Sequence, residues 1–499
     1  MWNRALAIRK QQVEEAPDDI LRLDALSSVY WNLDELEKST EITKKIADKN
    51  PALPAFQEIL ADSYATLGRK HKDPAKLEQA LEILEKLVRD YPQDNNYPGI
   101  LGARYKDLGN LHRESSSHDQ AITAYNSAIA VLSKLTYSEG HLTDAFFGLS
   151  KALDKAGKLD EAITAQQSAS EVGKRLSQRL PGQLHFRSTA AGNYRRLAGL
   201  LRRAGRDDET IAAYRDGVKL LSAVFADGQE PDGTSTQIAA AQDELTTLQT
   251  ELAQFLTQLG QTDEAAECYR NAVNIATLVI EKDPSLAQSW SRRATILQKA
   301  GEYQKAIDDL SEALRLDSKV DKYWSARGKA YFQLQQDELA LADQTKALEL
   351  NSPSADFLQE RGWTLLRMGQ SQLALIDTNA AIQLEPKQRY LYLDRARIYR
   401  SQTQFDLAIA DCQLAIDIDP QADSAFFTRA SAYALRGEIE ADDLKQNEPA
   451  LADFTKAIQL EPQNAVYLKQ RGEIYQALGD TSRAQQDFEA ASEYKSTTK

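Results

Sequence analysis

WSARGKAYFQLQQDELALADQTKALELNSP, residues 324–353, decides the fold, because residues 358–387, LQERGWTLLRMGQSQLALIDTNAAIQLEPK, repeat its pattern at a shift of 34. Gly328, Gly362 and Ala396 share one slot of this period, Ala340, Ala374 and Ala408 a second, and Ala347, Ala381 and Ala415 a third. Each period reads as a helix carrying a bulky residue, an Arg, a small residue and then Tyr or Leu, as in Trp324, Arg327, Gly328 and Tyr331. A Gly or polar turn follows. The second helix then places small residues seven apart and stops near a proline such as Pro386 or Pro420, a residue that cannot continue a helix. Small residues on two facing helices let the backbones approach closely.

This unit resembles the tetratricopeptide repeat (TPR) family, a helix-turn-helix of the same length with the pattern W, LG, Y, A, F, A, P. Trp290, Trp324, Gly362, Ala374, Tyr399, Phe454, Ala457 and Pro462 stand at matching positions. The resemblance implies an all-α fold, a right-handed superhelical α-solenoid whose first helices line a concave groove, and binding of an extended peptide or a partner's helix in that groove. Following the turn slot through Asp34, Gly68, Ser116, Gly157, Gly205, Gly260, Gly301, Gln335, Gly369, Thr403, Gly437 and Gly479 marks twelve units. Their spacings exceed 34 by multiples of seven in all but the last. Seven residues is close to two helical turns, so longer helices keep the same face buried.

Two kinds of unit meet near Pro284. The slot before the small residue holds Leu26, Leu60, Leu108, Leu149, Leu197 and Leu252, then Arg293, Arg327, Arg361, Arg395, Arg429 and Arg471. The matching slot of the second helix changes with it, from Ile42, Ile83, Ala124, Ala165, Ala213 and Cys268 to Asp309, Asp343, Asp377, Asp411, Asp453 and Asp487. An Arg in a covered slot needs a carboxylate where a Leu needs an apolar neighbour, so an Arg to Asp ladder is expected along the C-terminal half. Spacing leaves open whether each pair lies within one unit or between neighbours. The chain therefore divides into an orphan second helix at 1–19, six apolar units, several of them extended, at 20–283, and six mostly 34-residue Arg/Asp units at 284–499. Residues 227–236 (DGQEPDGTST) read as a loop, and 70–79 and 438–447 as insertions that protrude or extend their helices. Phe488 and Ala491 are expected to stay partly exposed at the end, a surface for self-association through the terminal repeat.

Composition narrows the function. Lys and Arg number 60 against 74 Asp and Glu, a net charge of −14, which argues against nucleic acid and anionic membranes as partners. No stretch reaches the ~18 apolar residues of a membrane helix and the start lacks a signal core, so membrane insertion is not expected and a cytoplasmic location is. Cys268 and Cys412 are too few for a disulfide framework or a Cys-rich metal spacing. No phosphate loop, HExxH or GxSxG occurs, and His112 falls in a core slot. No catalytic residue, metal or cofactor is expected.

The repeat phase places Arg195, Arg196, Arg202 and Arg203 in the groove, with Lys106, Asn110, Arg113 and Lys151 on neighbouring first helices and Arg206 just beyond. Some members of the family clamp a peptide's terminal carboxylate with Lys, Asn and Arg. The resemblance puts Lys106, Asn110 and Arg196 in those roles, but Gly148 and Gly192 stand where the clamp has Asn and Lys, so an acidic peptide or protein surface is the expected ligand. The competing reading pairs Arg203 and Arg206 with Asp207, Asp208 and Glu209. In the C-terminal half Trp363 falls in the groove between Lys329 and Arg397, an aromatic and Arg composition typical of interface hot spots, whereas Trp290 and Trp324 fall in core slots. These features point to a noncatalytic scaffold or adaptor. The half repeat at the start also resembles repeat tails of large bacterial signalling proteins, serine/threonine kinases among them, and suggests a recruitment or sensory tail as the alternative.

Overall fold

The computed structural model describes residues 2–225, 234–350, 354–440 and 443–497. Among them the chain forms 25 α-helices and no strand. They are α1 (Trp2–Glu15), α2 (Ile20–Asn32), α3 (Leu36–Lys49), α4 (Pro54–His71), α5 (Pro74–Asp90), α6 (Asn96–Glu114), α7 (His118–Leu132), α8 (Glu139–Lys155), α9 (Leu159–Arg179), α10 (Leu184–Arg203), α11 (Asp207–Phe225), α12 (Ser235–Gln258) and α13 (Thr262–Lys282). There follow α14 (Ala287–Lys299), α15 (Tyr303–Leu316), α16 (Asp321–Gln333), α17 (Asp337–Leu350), α18 (Ala355–Arg367), α19 (Ser371–Leu384), α20 (Arg389–Ser401), α21 (Phe405–Ile418), α22 (Asp423–Glu440), α23 (Asp443–Leu460), α24 (Ala465–Ala477) and α25 (Thr481–Thr497). One orphan helix thus precedes twelve pairs. The chain forms two compact units, Met1–Leu252 and Ala253–Lys499. This division falls inside α12, whereas the change of slot chemistry falls at Pro284.

From α2 to α11 in the first unit and from α14 to α25 in the second, each even-numbered helix packs on the odd-numbered helix that follows it, as α6 does on α7 and α16 on α17. Neighbouring first helices also touch, α6 with α8 and α18 with α20, which puts the first helices on the inner face of each unit. The small slot explains the pairing: Ser27, Ala61, Gly109, Ser150, Ala198 and Ala253, then Ala294, Gly328, Gly362, Ala396, Ala430 and Gly472, are all buried. At Gly472 a Cβ would lie 2.8 Å from the ring of Phe488. Phe488 is consequently half-buried and Ala491 buried, a more complete covering of the last pair than its polar tail suggested.

Turn chemistry is equally local. Asp34, Ser116, Gly157, Gly205, Gly260, Gly301, Gln335, Gly369, Thr403 and Gly479 all adopt positive φ, the left-handed conformation that ends a helix and turns the chain. Gly68 and Gly437 instead lie inside α4 and α22, because the two insertions lengthen the flanking helices; after α4, Lys72 takes the left-handed position with φ 54°. Pro17, Pro51, Pro92, Pro284, Pro386, Pro420 and Pro462 each stand two residues beyond the end of a second helix. Of the expected loop at 227–236, positions up to 233 lie outside the described residues, and Ser235 already begins α12.

The six Arg and six Asp of the C-terminal half meet as bidentate pairs. Arg Nε and Nη2 donate to the two Asp oxygens at 2.8 and 2.7 Å for Arg293 and Asp309, 2.7 and 3.0 Å for Arg327 and Asp343, and 2.7 and 2.8 Å for Arg361 and Asp377. The distances are 2.8 and 2.8 Å for Arg395 and Asp411, 2.6 and 2.7 Å for Arg429 and Asp453, and 2.8 and 2.7 Å for Arg471 and Asp487. Each pair joins the two helices of one hairpin. The remaining Nη1 reaches back to the second helix of the preceding hairpin, donating to Thr277, Ser311, Asn379, Gln413 and Thr455 from Arg293, Arg327, Arg395, Arg429 and Arg471. One guanidinium therefore ties three helices. The rings of Trp290 and Trp324 lie 5.2 and 5.1 Å from Arg293 and Arg327, and their indole N–H groups donate to the carbonyls of Pro284 and Ser318 at 2.9 Å. Both tryptophans are half-buried covers over the guanidinium rather than enclosed core residues. In the N-terminal half the six leucines of this slot are buried instead.

Two stability measurements follow. Replacing Asp377 by Ala strands the Arg361 guanidinium in a covered slot and is expected to cost about 3 kcal/mol in urea denaturation, whereas joining it to Arg361→Leu, the chemistry of the other half, recovers most of that loss. A double variant no more stable than Asp377→Ala would contradict the account. Thr403 holds φ 60° with a β-branched side chain, so Thr403→Gly is expected to raise stability by about 1 kcal/mol, and an unchanged denaturation midpoint would count against it.

Candidate functional site

In the first unit the inner face is built from α6, α8, α10 and α12. Tyr125 of α7 fills the space between α6 and α8: its ring is fully buried, and a Cβ on Gly148 would lie 2.4 Å from it. Its hydroxyl donates to Asn110 Oδ1 at 2.8 Å and accepts from Arg113 Nε at 3.3 Å. Asn110 is thereby engaged, and no larger residue fits where a carboxylate clamp needs its second Asn. Lys106 is also occupied, by Asp144 at 2.9 Å. A Cβ on Gly192 would approach the Glu244 carboxylate at 3.6 Å. The same Glu244 takes Arg195 at 2.7 Å, with Glu251 at 3.3 Å beside it. Arg206 pairs bidentately with Glu209 at 2.7 and 2.6 Å, and Arg202 is exposed at the end of α10.

What is left is a smaller cluster. Arg196 and Arg203 share one acid, Asp154, at 3.3 and 2.6 Å, so Arg203 reaches back to α8 and not to the acids that follow it. Lys151 Nζ lies 4.2 Å from the centre of the Phe147 ring and the Arg196 guanidinium 5.8 Å from it, so two cations flank one aromatic platform. Among the described residues no carboxylate comes within ion-pair reach of Lys151 or Arg113. Burial pushes the Lys151 ammonium below its ordinary range, and the charges of Arg196 and Arg113 push it further. Arg196 is lowered too, first by burial and also by Arg203, against the pull of Asp154, and its buried Nε has no hydrogen-bond partner.

In the second unit the inner face carries a network between successive first helices. Lys329 of α16 meets Glu360 of α18 at 2.6 Å, and Ser325 Oγ donates to the same carboxylate at 2.7 Å. One unit further on, Asp394 of α20 accepts from Gln359 of α18 at 2.5 Å and from Arg397 of its own helix at 3.0 Å. Trp363 is 41% exposed. Lys329 and Arg397 are thus each anchored on a different buried acid. Glu360 and Asp394 escaped the sequence reading although both stand two residues before a small slot, at Gly362 and Ala396. Burial raises the pKa of both above the ordinary carboxylate range. Phe147 and Asp154 also went unread, since nothing in their spacing distinguishes them.

Models described as tetratricopeptide repeat match residues 244–319, 291–355 and 360–423, and 430–464 and 469–498, and one described as Tetratricopeptide Repeats-Sensor matches 25–142. The chain is a tetratricopeptide repeat protein. Tetratricopeptide repeats are in general noncatalytic interaction modules, and the TPR chain is a protein-protein interaction scaffold. No curated protein matches it. Among solved structures it is similar to yeast Tom70, 14% identical over 95% of this chain and 92% of that one with a TM-score of 0.47. It is also similar to YrrB, described as a TPR protein with an unusual peptide-binding site, 23% identical over 39% of this chain and 95% of that one with a TM-score of 0.31. The type IV pilus biogenesis factor PilW is 23% identical over 40% of this chain and 90% of its own, with a TM-score of 0.37. No helix of the TPR chain is long and apolar enough to cross a membrane, among the described residues.

The buried acids predict a pH dependence with a definite sign. A carboxyl whose folded pKa is raised contributes stability that is complete below the ordinary range and is lost as pH climbs through the folded value, because the unfolded chain releases its proton first. Asp394→Asn removes that loss. Relative to the variant, the wild type is expected to weaken in urea denaturation as pH rises from about 4; a wild type that gains on the variant over the same range would refute the assignment.

Proposed function

We propose that this scaffold is noncatalytic and takes an acidic peptide or acidic protein segment on the inner face of its first unit, at Lys151, Arg196 and Arg113. The observation that carries the reading is Lys151: a half-buried ammonium beside an aromatic ring, with two like charges near it and no carboxylate of its own. Burial and repulsion both penalise its charged form. An incoming carboxylate offsets both penalties by pairing with the ammonium. Phe147 supplies the apolar floor on which the stem of a Glu or Asp can rest. Asp154 holds Arg196 and Arg203 in place without neutralising the cluster.

This reading is narrower than a general basic stretch. Arg195 and Lys106 have acids already on neighbouring helices and Arg206 has one three residues on, so their loss should leave the ligand in place. Self-association through the last repeat has less support, since Phe488 seats on Gly472 and Ala491 is buried.

A second reading, that the repeats are the sensory or recruitment part of a larger signalling enzyme such as a serine/threonine kinase, is favoured by one observation, the match of residues 25–142 to the sensor model. An in-frame catalytic domain encoded upstream of Met1 would support it, and a stop codon there would remove it.

The peptide reading is tested by fluorescence anisotropy of a labelled oligoglutamate peptide with the full chain at low salt. Lys151→Ala and Arg196→Ala are each expected to weaken binding roughly tenfold, about 1.4 kcal/mol, while Arg195→Ala leaves it within twofold (about 0.4 kcal/mol). Binding that responds equally to all three, or no binding at all, would refute it.

A further inference from the structure

The second helices of the second unit, on the face opposite the inner one, differ from one another in a way that the repeat does not require. Two outward slots flank the first small residue of each second helix. In α15 they hold Lys305 and Asp308, and in α25 Arg483 and Gln486, all exposed and polar. Between these ends the same slots hold Leu339 and Ala342 in α17, Leu373 and Ile376 in α19, Leu407 and Ala410 in α21, and Pro449 and Ala452 in α23. The side chains stand in the open: Leu339, Leu373, Ile376 and Leu407 are 50%, 50%, 62% and 49% exposed. A second row, Leu350, Leu384 and Ile418, repeats the spacing at the helix ends and is also exposed. Helix α15 is strongly amphipathic, whereas α17 and α19 carry apolar residues on more than the face that meets their hairpin partner, which leaves part of that apolar surface uncovered within the hairpin. A contiguous apolar surface bounded by polar residues marks an interaction site.

The rim decides what covers it. Exposed Glu338, Glu349, Glu385 and Asp417 flank the leucines along the helices, against Lys346, which already pairs with Glu349 at 3.0 Å, and Lys387. A second copy would set this acidic rim against itself, in a chain whose net charge is already −14. A helix with an apolar stripe flanked by Lys or Arg complements both features, since the stripe covers the leucines while the cations meet the rim. We propose that the outer face of α17, α19 and α21 is a docking surface for a basic amphipathic helix of a partner protein, separate from the inner-face site.

A labelled amphipathic peptide built of Leu and Lys, and its Leu and Glu counterpart, probe this surface on the full chain by anisotropy. The Leu and Lys peptide is expected to bind at least roughly tenfold more tightly than the Leu and Glu one. The combined variant Leu373→Ala, Ile376→Ala and Leu407→Ala is expected to weaken it roughly tenfold or more. These substitutions keep the charge and the helix propensity, so unchanged circular dichroism separates lost contact from lost folding. Should the triple variant unfold, Leu339→Ala with Leu384→Ala applies the same criterion. The proposal is overturned if the two peptides bind alike, if neither binds, if the apolar substitutions leave binding of the Leu and Lys peptide unchanged, or if sedimentation reveals a dimer that the triple variant abolishes.

Discussion

Everything in this chain depends on how closely two helices of a pair can approach. The slot that sets the distance admits only Gly, Ala or Ser, and all twelve occupants are buried. Close approach brings backbone and side chains of the facing helix within van der Waals range, where dispersion and apolar burial accumulate. Packing of that kind leaves little volume to spare, so each large residue needs a small one opposite, as Phe488 needs Gly472 and Tyr125 needs Gly109 and Gly148. The left-handed turn residue, and the proline that follows many of the second helices, then direct the chain into the next pair.

The neighbouring slot has two solutions. Leucine in the first six pairs fills it with apolar volume. Arginine in the last six fills it with a guanidinium that is neutralised by its own hairpin's Asp and, in all but Arg361, hydrogen-bonded to the hairpin before it with Trp, Tyr or Phe beside it. The ionic solution is more directional: five donors in a fixed fork specify where three helices stand, whereas a leucine specifies only that something apolar be near. Whether a chain uses one or the other is visible in composition, since each Arg brings a matching Asp.

The inner faces were harder to read. Repeat phase correctly assigned Arg195, Arg196, Lys106, Asn110, Trp363 and Arg397 to first helices. It could not say which groups were already spent, because the partners of Arg195, Lys106 and Asn110, which are Glu244, Asp144 and Tyr125, come from other helices at spacings of 49, 38 and 15 residues. The surviving cluster at Lys151 is defined by the partner it lacks. Glu360 and Asp394 illustrate the converse, acids that look like ordinary solvated carboxylates in a sequence with 74 of them and turn out to be enclosed between successive first helices. The outer face is different again, for its leucines recur at the repeat period and differ from the core alanines only in pointing away from the partner helix.

The amino-acid sequence by itself determined the periodic part of this protein: helical pairs, their number, the turns, the slots that must be small and the pairing of Arg with Asp. Those features are local or recur at one spacing, so steric size, φ preference and charge balance within a single hairpin suffice to derive them. Tertiary structure alone decided that five of the six guanidinium groups also join the preceding hairpin, that the carboxylate clamp is blocked by Tyr125, that Lys151 stays unpaired while Arg195 does not, and that Leu373 and Ile376 face solvent. Those depend on distances between hairpins and on which atoms exclude water from which, and no periodicity along the chain encodes them.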